Sequence, residues 1–208
     1  MAFNRSMLTS KSSEWATPPA FALALRAQFD FRRDVCATKE TAKAPAFWSK
    51  KDDALALSWA RINAFMNPPY GRGDSGIEPW MKKARTAACY QGSSFVQLPP
   101  ARVGTAWWKR YVMNEDGYAG SLVASRYFPE VRVLTLKWEL LTTMLHFVEG
   151  RLDFEGKTRG QSAPFDSAIV VHLPPNAPRP RLNDDLWTLA HAMGREAEKV
   201  PLFNRAWL

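Results

Sequence analysis

Asn67-Pro68-Pro69-Tyr70 is the stretch of this 208-residue chain whose residue types and spacing are best suited to chemistry. Asn67 offers a side-chain carbonyl oxygen and Pro68 a main-chain one, while the two prolines bring no N–H and hold φ fixed. The result is a stiff corner rich in acceptors. An exocyclic amine on adenine is a poor nucleophile, because its lone pair is delocalised into the ring. Acceptors aimed at both of its N–H groups draw electron density back onto nitrogen. Tyr70 adds a ring on which a flipped base can stack. A strand-ending Pro-Pro turn beside a core tyrosine has the same sequence, so the tetrapeptide by itself leaves both readings open.

The elements around this corner follow from the pattern of apolar residues. Residues 62–66 read as a short buried strand running straight into Asn67, which puts the corner at a strand's carboxyl end, where open α/β sheets hold ligands. Upstream, Thr17 is expected to cap a helix with Pro18 at its first position and Phe21 and Leu25 at helical spacing. Residues 29–35 read as a strand ending in Asp34-Val35-Cys36-Ala37-Thr38, and residues 54–59 as a helical or turn segment. A loop at 71–76 precedes a helix from Pro79, with Trp80, Ala84, Ala87 and Ala88 on one face and Lys82, Lys83 and Arg85 on the other.

Residues 95–98 form the next predicted strand and 105–113 the next helix. Strands are expected at 131–136 and around 146–148, and residues 151–154 and 168–173 flank a basic loop as an antiparallel pair. This alternation predicts the α/β class, with a mostly parallel sheet and an antiparallel C-terminal strand. Residues 1–13 read as a polar arm and 14–174 as the main domain. Residues 175–208 read as a Pro-rich linker and a helix with an apolar stripe of Leu186, Leu189, Ala190, Met193 and Ala197.

Composition excludes several classes. Cys36 and Cys89 cannot build a disulfide framework, and the three histidines stand apart from any ligand cluster, so no metal site is expected. No apolar run reaches the eighteen or so residues of a membrane span. Residues 1–13 lack the apolar core of a secretory signal, and a cytoplasmic location is the expectation. A net charge of +8 favours a polyanionic partner.

Beyond the tetrapeptide, an ordered set of motifs resembles the phage-type DNA N6-adenine methyltransferase family. It comprises Glu14-Trp15-Ala16-Thr17-Pro18, Asp34-Val35-Cys36-Ala37, Asp52-Asp53-Ala54-Leu55, Asn67-Pro68-Pro69-Tyr70-Gly71-Arg72 and Leu98-Pro99-Pro100-Ala101-Arg102 followed by Thr105-Ala106-Trp107-Trp108. Gly150-Arg151-Leu152-Asp153-Phe154 and the stretch from Ala163 to Val171 complete it, so the similarity covers about residues 13–174.

The resemblance implies a Rossmann-like fold that uses S-adenosylmethionine, DNA as partner, and no metal. It gives catalytic roles to Asn67, Pro68 and Tyr70 and cofactor contacts to Asp34, Asp53, Trp15 and Thr17. It also suggests a phage role in masking DNA from host restriction. Arg72, Arg102, Arg126, Lys157 and Arg159 are the candidate DNA contacts, and residues 114–145 the candidate target-recognition insertion. A monomer or weak dimer is expected. One departure is that residues 34–43 contain no glycine, so small side chains such as Ala37 and Thr38 are expected to close that loop. Methylation of cytosine N4, RNA guanine or a protein glutamine, and an inactive DNA-binding relative, are the alternative readings.

Overall fold

The computed structural model describes residues 15–71, 73, 76–113, 121–124, 132–137, 142–148, 152, 154, 165–175 and 177. Strands β1 (Arg33–Asp34), β2 (Ala46–Phe47), β3 (Asn63–Met66), β4 (Ser94–Gln97), β5 (Ser121–Ala124), β6 (Arg132–Lys137), β7 (Thr142–Phe147) and β8 (Ala168–Leu173) form one sheet in the order β2-β1-β3-β4-β8-β7-β6-β5. The first four run parallel, and every pairing from β4 onward is antiparallel. The class is therefore α/β, but the antiparallel portion is larger than the sequence predicts. Its cause is connection length: seven residues join β5 to β6 and four join β6 to β7, whereas a parallel crossover needs roughly a dozen or more.

Helix α1 (Pro19–Phe29) begins after Pro18, which is the N-cap, and no side chain caps it. The expected capping by Thr17 is thus not made. The helix runs on through Phe29 until Asp30 turns left-handed at φ 44, and this shortens the expected strand at 29–35 to β1. Helix α2 (Ile77–Tyr90) starts two residues before Pro79, which is tolerated because first-turn N–H groups have no intrahelical partner. Residues 54–56 form a turn, and 57–59 are a bend and irregular chain. Helix α3 (Ala106–Trp108) passes into a π-helical turn, Lys109–Met113.

Alternation along β3 puts Asn63, Phe65 and Asn67 on one face and Ala64 and Met66 on the other. On the first face Phe31 stacks on Phe65 at 5.1 Å, and Asn63 Nδ2 donates to the carbonyls of Phe29 and Asp30 at 2.8 and 3.1 Å. On the second, Phe95, the neighbour of Ala64, meets Trp59 at 5.2 Å, and Trp59 meets Trp80 of α2 at 6.0 Å. Helix α2 thus packs on the second face and the end of α1 is tied to the first, and burial of these aromatics supplies the main driving force.

Strand β8 lies between β4 and β7, with Phe147 opposite Ala168; of the partner expected at 151–154, the described residues Leu152 and Phe154 are coil. Since β7 spans Thr142–Phe147, the last residues of the candidate insertion belong to the sheet itself. The arm at 1–13 and the C-terminal helix lie outside the described residues. No helix among the described residues is long and apolar enough to cross a membrane.

Candidate active site

The strand order β2-β1-β3-β4 means that the chain leaves β1 toward β2 on one side and leaves β3 toward β4 on the other. The carboxyl ends of β1 and β3 therefore flank a topological switch point, the usual ligand crevice of an open α/β sheet. Asp34 pairs with Phe65 in register, so two residues further on Cys36 and Asn67 leave the sheet side by side.

Asn67 is held at both ends of its amide. Nδ2 donates to the Trp15 carbonyl at 2.5 Å and to Thr17 Oγ1 at 2.9 Å. Oδ1 accepts from the Tyr70 hydroxyl at 2.5 Å. A main-chain carbonyl only accepts, so the Trp15 contact fixes which end of the amide is nitrogen. The Leu98 carbonyl, 2.7 Å away, is a second acceptor for the same hydroxyl proton. Burial pushes the Tyr70 phenol well above its ordinary pKa, with the Cys36 thiol adding to the effect, so it stays a protonated donor. Its ring is 9% exposed and packs edge-on against Phe165 at 5.3 Å.

Asp34 is 3% exposed. Oδ1 accepts from the Cys36 amide at 3.3 Å and Oδ2 from the Lys43 amide at 3.1 Å. Burial outweighs these bonds and raises its pKa to about 6. The glycine-free loop is closed by this carboxylate and by a reciprocal Thr38–Thr41 turn. In that turn each threonine's amide donates to the other's hydroxyl, at 2.9 and 3.3 Å. Thr38 serves as expected; Ala37 contributes instead a main-chain bond to the Trp48 carbonyl at 3.0 Å. No residue between β1 and β2 has positive φ, which is why glycine is not needed there. The Asn67 amide N–H donates to Cys36 Sγ, yet burial, with Asp34 beside it, keeps that thiol's pKa well above normal.

The other expected site residues are spread more widely. Trp15 and Thr17 meet Asn67 directly. Asp53 is exposed, at φ 45, just after a short 3-10 turn at Lys50–Asp52. It is the C-cap of that turn and not its N-cap, since Ser49 and Asp52 form the reciprocal capping box at the other end. Arg102 is exposed after β4, while Arg72, Arg126, Lys157 and Arg159 lie outside the described residues. Trp107 and Trp108 are buried, with Trp108 stacked on Phe147 at 6.1 Å.

Residues without an assigned role complete the corner. Phe165 packs on Trp15 at 5.4 Å and on Tyr70, and Phe154 on Trp15 at 5.7 Å. Phe165 is brought there because the β4 exit is joined to residues 166–168: Ala101 N–H donates to Asp166 and Ala168 N–H to Pro99. An aromatic three residues ahead of a continuous apolar strand is the available signal for it. Among the described residues no cluster of His, Cys, Asp or Glu could hold a metal ion.

A buried carboxylate and a proline-stiffened amide are thus gathered at one switch point of an α/β sheet. The chain belongs to the DNA N-6-adenine-methyltransferase (Dam) family, whose model matches residues 5–120. The match takes in the motifs from Trp15 to Trp108 and ends before those at 150–154 and 163–171. No curated protein matches the chain.

Proposed function

We propose that this protein methylates the N6 amine of adenine in DNA, with S-adenosylmethionine as donor and the base flipped into the corner at Asn67, Pro68 and Tyr70. The observation that carries the reading is the direction of the Asn67 amide: its nitrogen is committed to Trp15 and Thr17, leaving oxygen as the end that can face an amine. The Pro68 carbonyl is the second acceptor. Together they accept from the two N–H groups and raise electron density on N6 as the N–C bond forms. The sulfonium cofactor, when bound, supplies a methyl whose C–S bond breaks to leave a neutral thioether. One N6 proton then leaves to solvent.

The residues present fit such a cofactor in a Rossmann-like crevice between β1 and β3. Asp34 is a buried carboxylate with one amide on each oxygen, so it retains acceptor capacity for an ammonium group. Asp53 is exposed and suited to accept from the cofactor's adenine amine. DNA as partner is supported by the net charge of +8 and by the exposed Arg102 beside the β4 exit. Phosphate contacts there, and at Arg72, Arg126, Lys157 and Arg159, would give affinity without sequence information. Target recognition falls to residues 114–145, whose strands β5 and β6 form the sheet edge farthest from β2.

The test is Asn67→Ala, assayed by mass spectrometry of nucleosides after reaction with DNA and by calorimetry with the cofactor. The expected result is loss of N6-methyladenine with cofactor binding retained. Full activity in the variant, or N4-methylcytosine as the product of the parent protein, overturns the reading.

A further inference from the structure

We infer that Thr17 is a positioning residue for Asn67, its buried hydroxyl setting the plane of the Asn67 amide. The inference rests on the reading of Asn67 as the acceptor for the target amine. Two contacts hold the Asn67 nitrogen, and they do different work. The Trp15 carbonyl fixes which end of the amide is nitrogen, because a flip would set two acceptors against each other. Without Thr17 the group is held only by this contact and by the Tyr70 hydroxyl, whose one proton is shared with the Leu98 carbonyl, and the terminal torsion of asparagine is broad enough for the plane to tilt between them. The second, at 2.9 Å to Thr17 Oγ1, uses the other N–H and removes that freedom. The plane of the amide then decides where Oδ1 points.

Thr17 is built to hold that place. It is 2% exposed. Its β-branched side chain has few rotamers, and Pro18 after it confines its backbone to extended conformations. Beyond Pro18 lies α1, whose far end is fixed to β3 by Asn63 through the carbonyls of Phe29 and Asp30. Helix α1 is thus a bar pinned to the same strand at both ends, and Thr17 sits at the end next to the corner. A Thr-Pro pair that reads as a helix cap in the sequence holds a residue 50 positions away, at the exit of β3.

The test compares Thr17→Val, which keeps the shape and loses the hydroxyl, with Thr17→Ser, which keeps the hydroxyl. Thr17→Val is expected to lower kcat by about 10- to 100-fold at saturating cofactor, the scale of a small misplacement of a reacting group. Cofactor affinity by calorimetry is expected to stay unchanged, against the cofactor contact that the family resemblance implies for Thr17, and Thr17→Ser to recover most of the rate. The Asn67 side-chain NH2 signals, assigned by their loss in Asn67→Ala, should shift in Thr17→Val and return in Thr17→Ser. If Thr17→Val does not fold, Thr17→Ala against Thr17→Ser isolates the same hydroxyl.

An unchanged kcat in the hydroxyl-free variant overturns the inference, as does a serine variant as slow as the valine one. Asn67→Ala run alongside separates the two claims. Activity in that variant removes the functional reading, whereas its inactivity beside a fully active Thr17→Val removes only the role of Thr17.

Discussion

The Tyr70 hydroxyl stands between two acceptors, Asn67 Oδ1 at 2.5 Å and the Leu98 carbonyl at 2.7 Å, with a single proton to give. It ties the exit of β3 to the exit of β4 at the point where a base would enter. When a target amine occupies Asn67 Oδ1, the Leu98 carbonyl remains available to take that proton.

Tyr70→Phe therefore keeps the ring against Phe165 and removes the tie. Leu98 is fully buried, so its carbonyl loses a partner that water cannot easily replace. The expected cost is about 1–3 kcal/mol of stability, read by urea denaturation, together with a lower kcat. Unchanged stability would show that the bond contributes nothing.

Asp34 titrates at about 6 in the folded protein, raised from 3.8 by burial. A cationic ligand beside it favours the ionised form and pulls that pKa down again, so its affinity must rise with pH through about 6 and level off above. Calorimetry with the sulfonium cofactor from about pH 5 to 8 is expected to show this rise in the parent protein and not in Asp34→Asn. A flat profile in the parent protein counts against Asp34 as the cofactor's partner.

His172 is fully buried beside Gln97, with Nδ1 2.9 Å from Nε2 of the amide. Burial lowers its pKa to about 3, against 6.5 for the free side chain. His146 is lowered to about 4 for the same reason. The unfolded chain then binds more protons than the folded one between these values and 6.5. Stability is complete above about pH 6.5 and falls as the pH drops toward 3. Asp34 opposes this between 3.8 and about 6, because its raised pKa makes the folded state the proton binder there. Denaturant melts across this range should show a net loss toward acid. The loss should be smaller in a Gln97→Leu/His172→Leu variant, which removes the titrating ring and its partner together.

How far the sequence reaches can be judged from particular residues. The turn at Asn67 is legible because its pieces are local: an apolar strand, two prolines and a tyrosine are adjacent in the chain. The parallel order of the early strands was legible from their alternation with helices. The role of Thr17 was not, since its hydroxyl serves either a local cap or a distant amide and only the packed sheet decides. The same holds for Asp34 and Asp52, whose oxygens go to amides selected by loop geometry. Residues 29–35 were misread because Phe29 suits helix and strand alike, and only the left-handed turn at Asp30 ends α1 there.

The joint between β4 and the start of β8 has a mechanical consequence. Because Pro99 and Ala101 are hydrogen-bonded to residues 166–168, the antiparallel half of the sheet cannot swing independently of the carbonyl that receives Tyr70. One unbroken ladder of main-chain bonds therefore runs from the outermost strand, β5, to the carbonyl beneath the tyrosine.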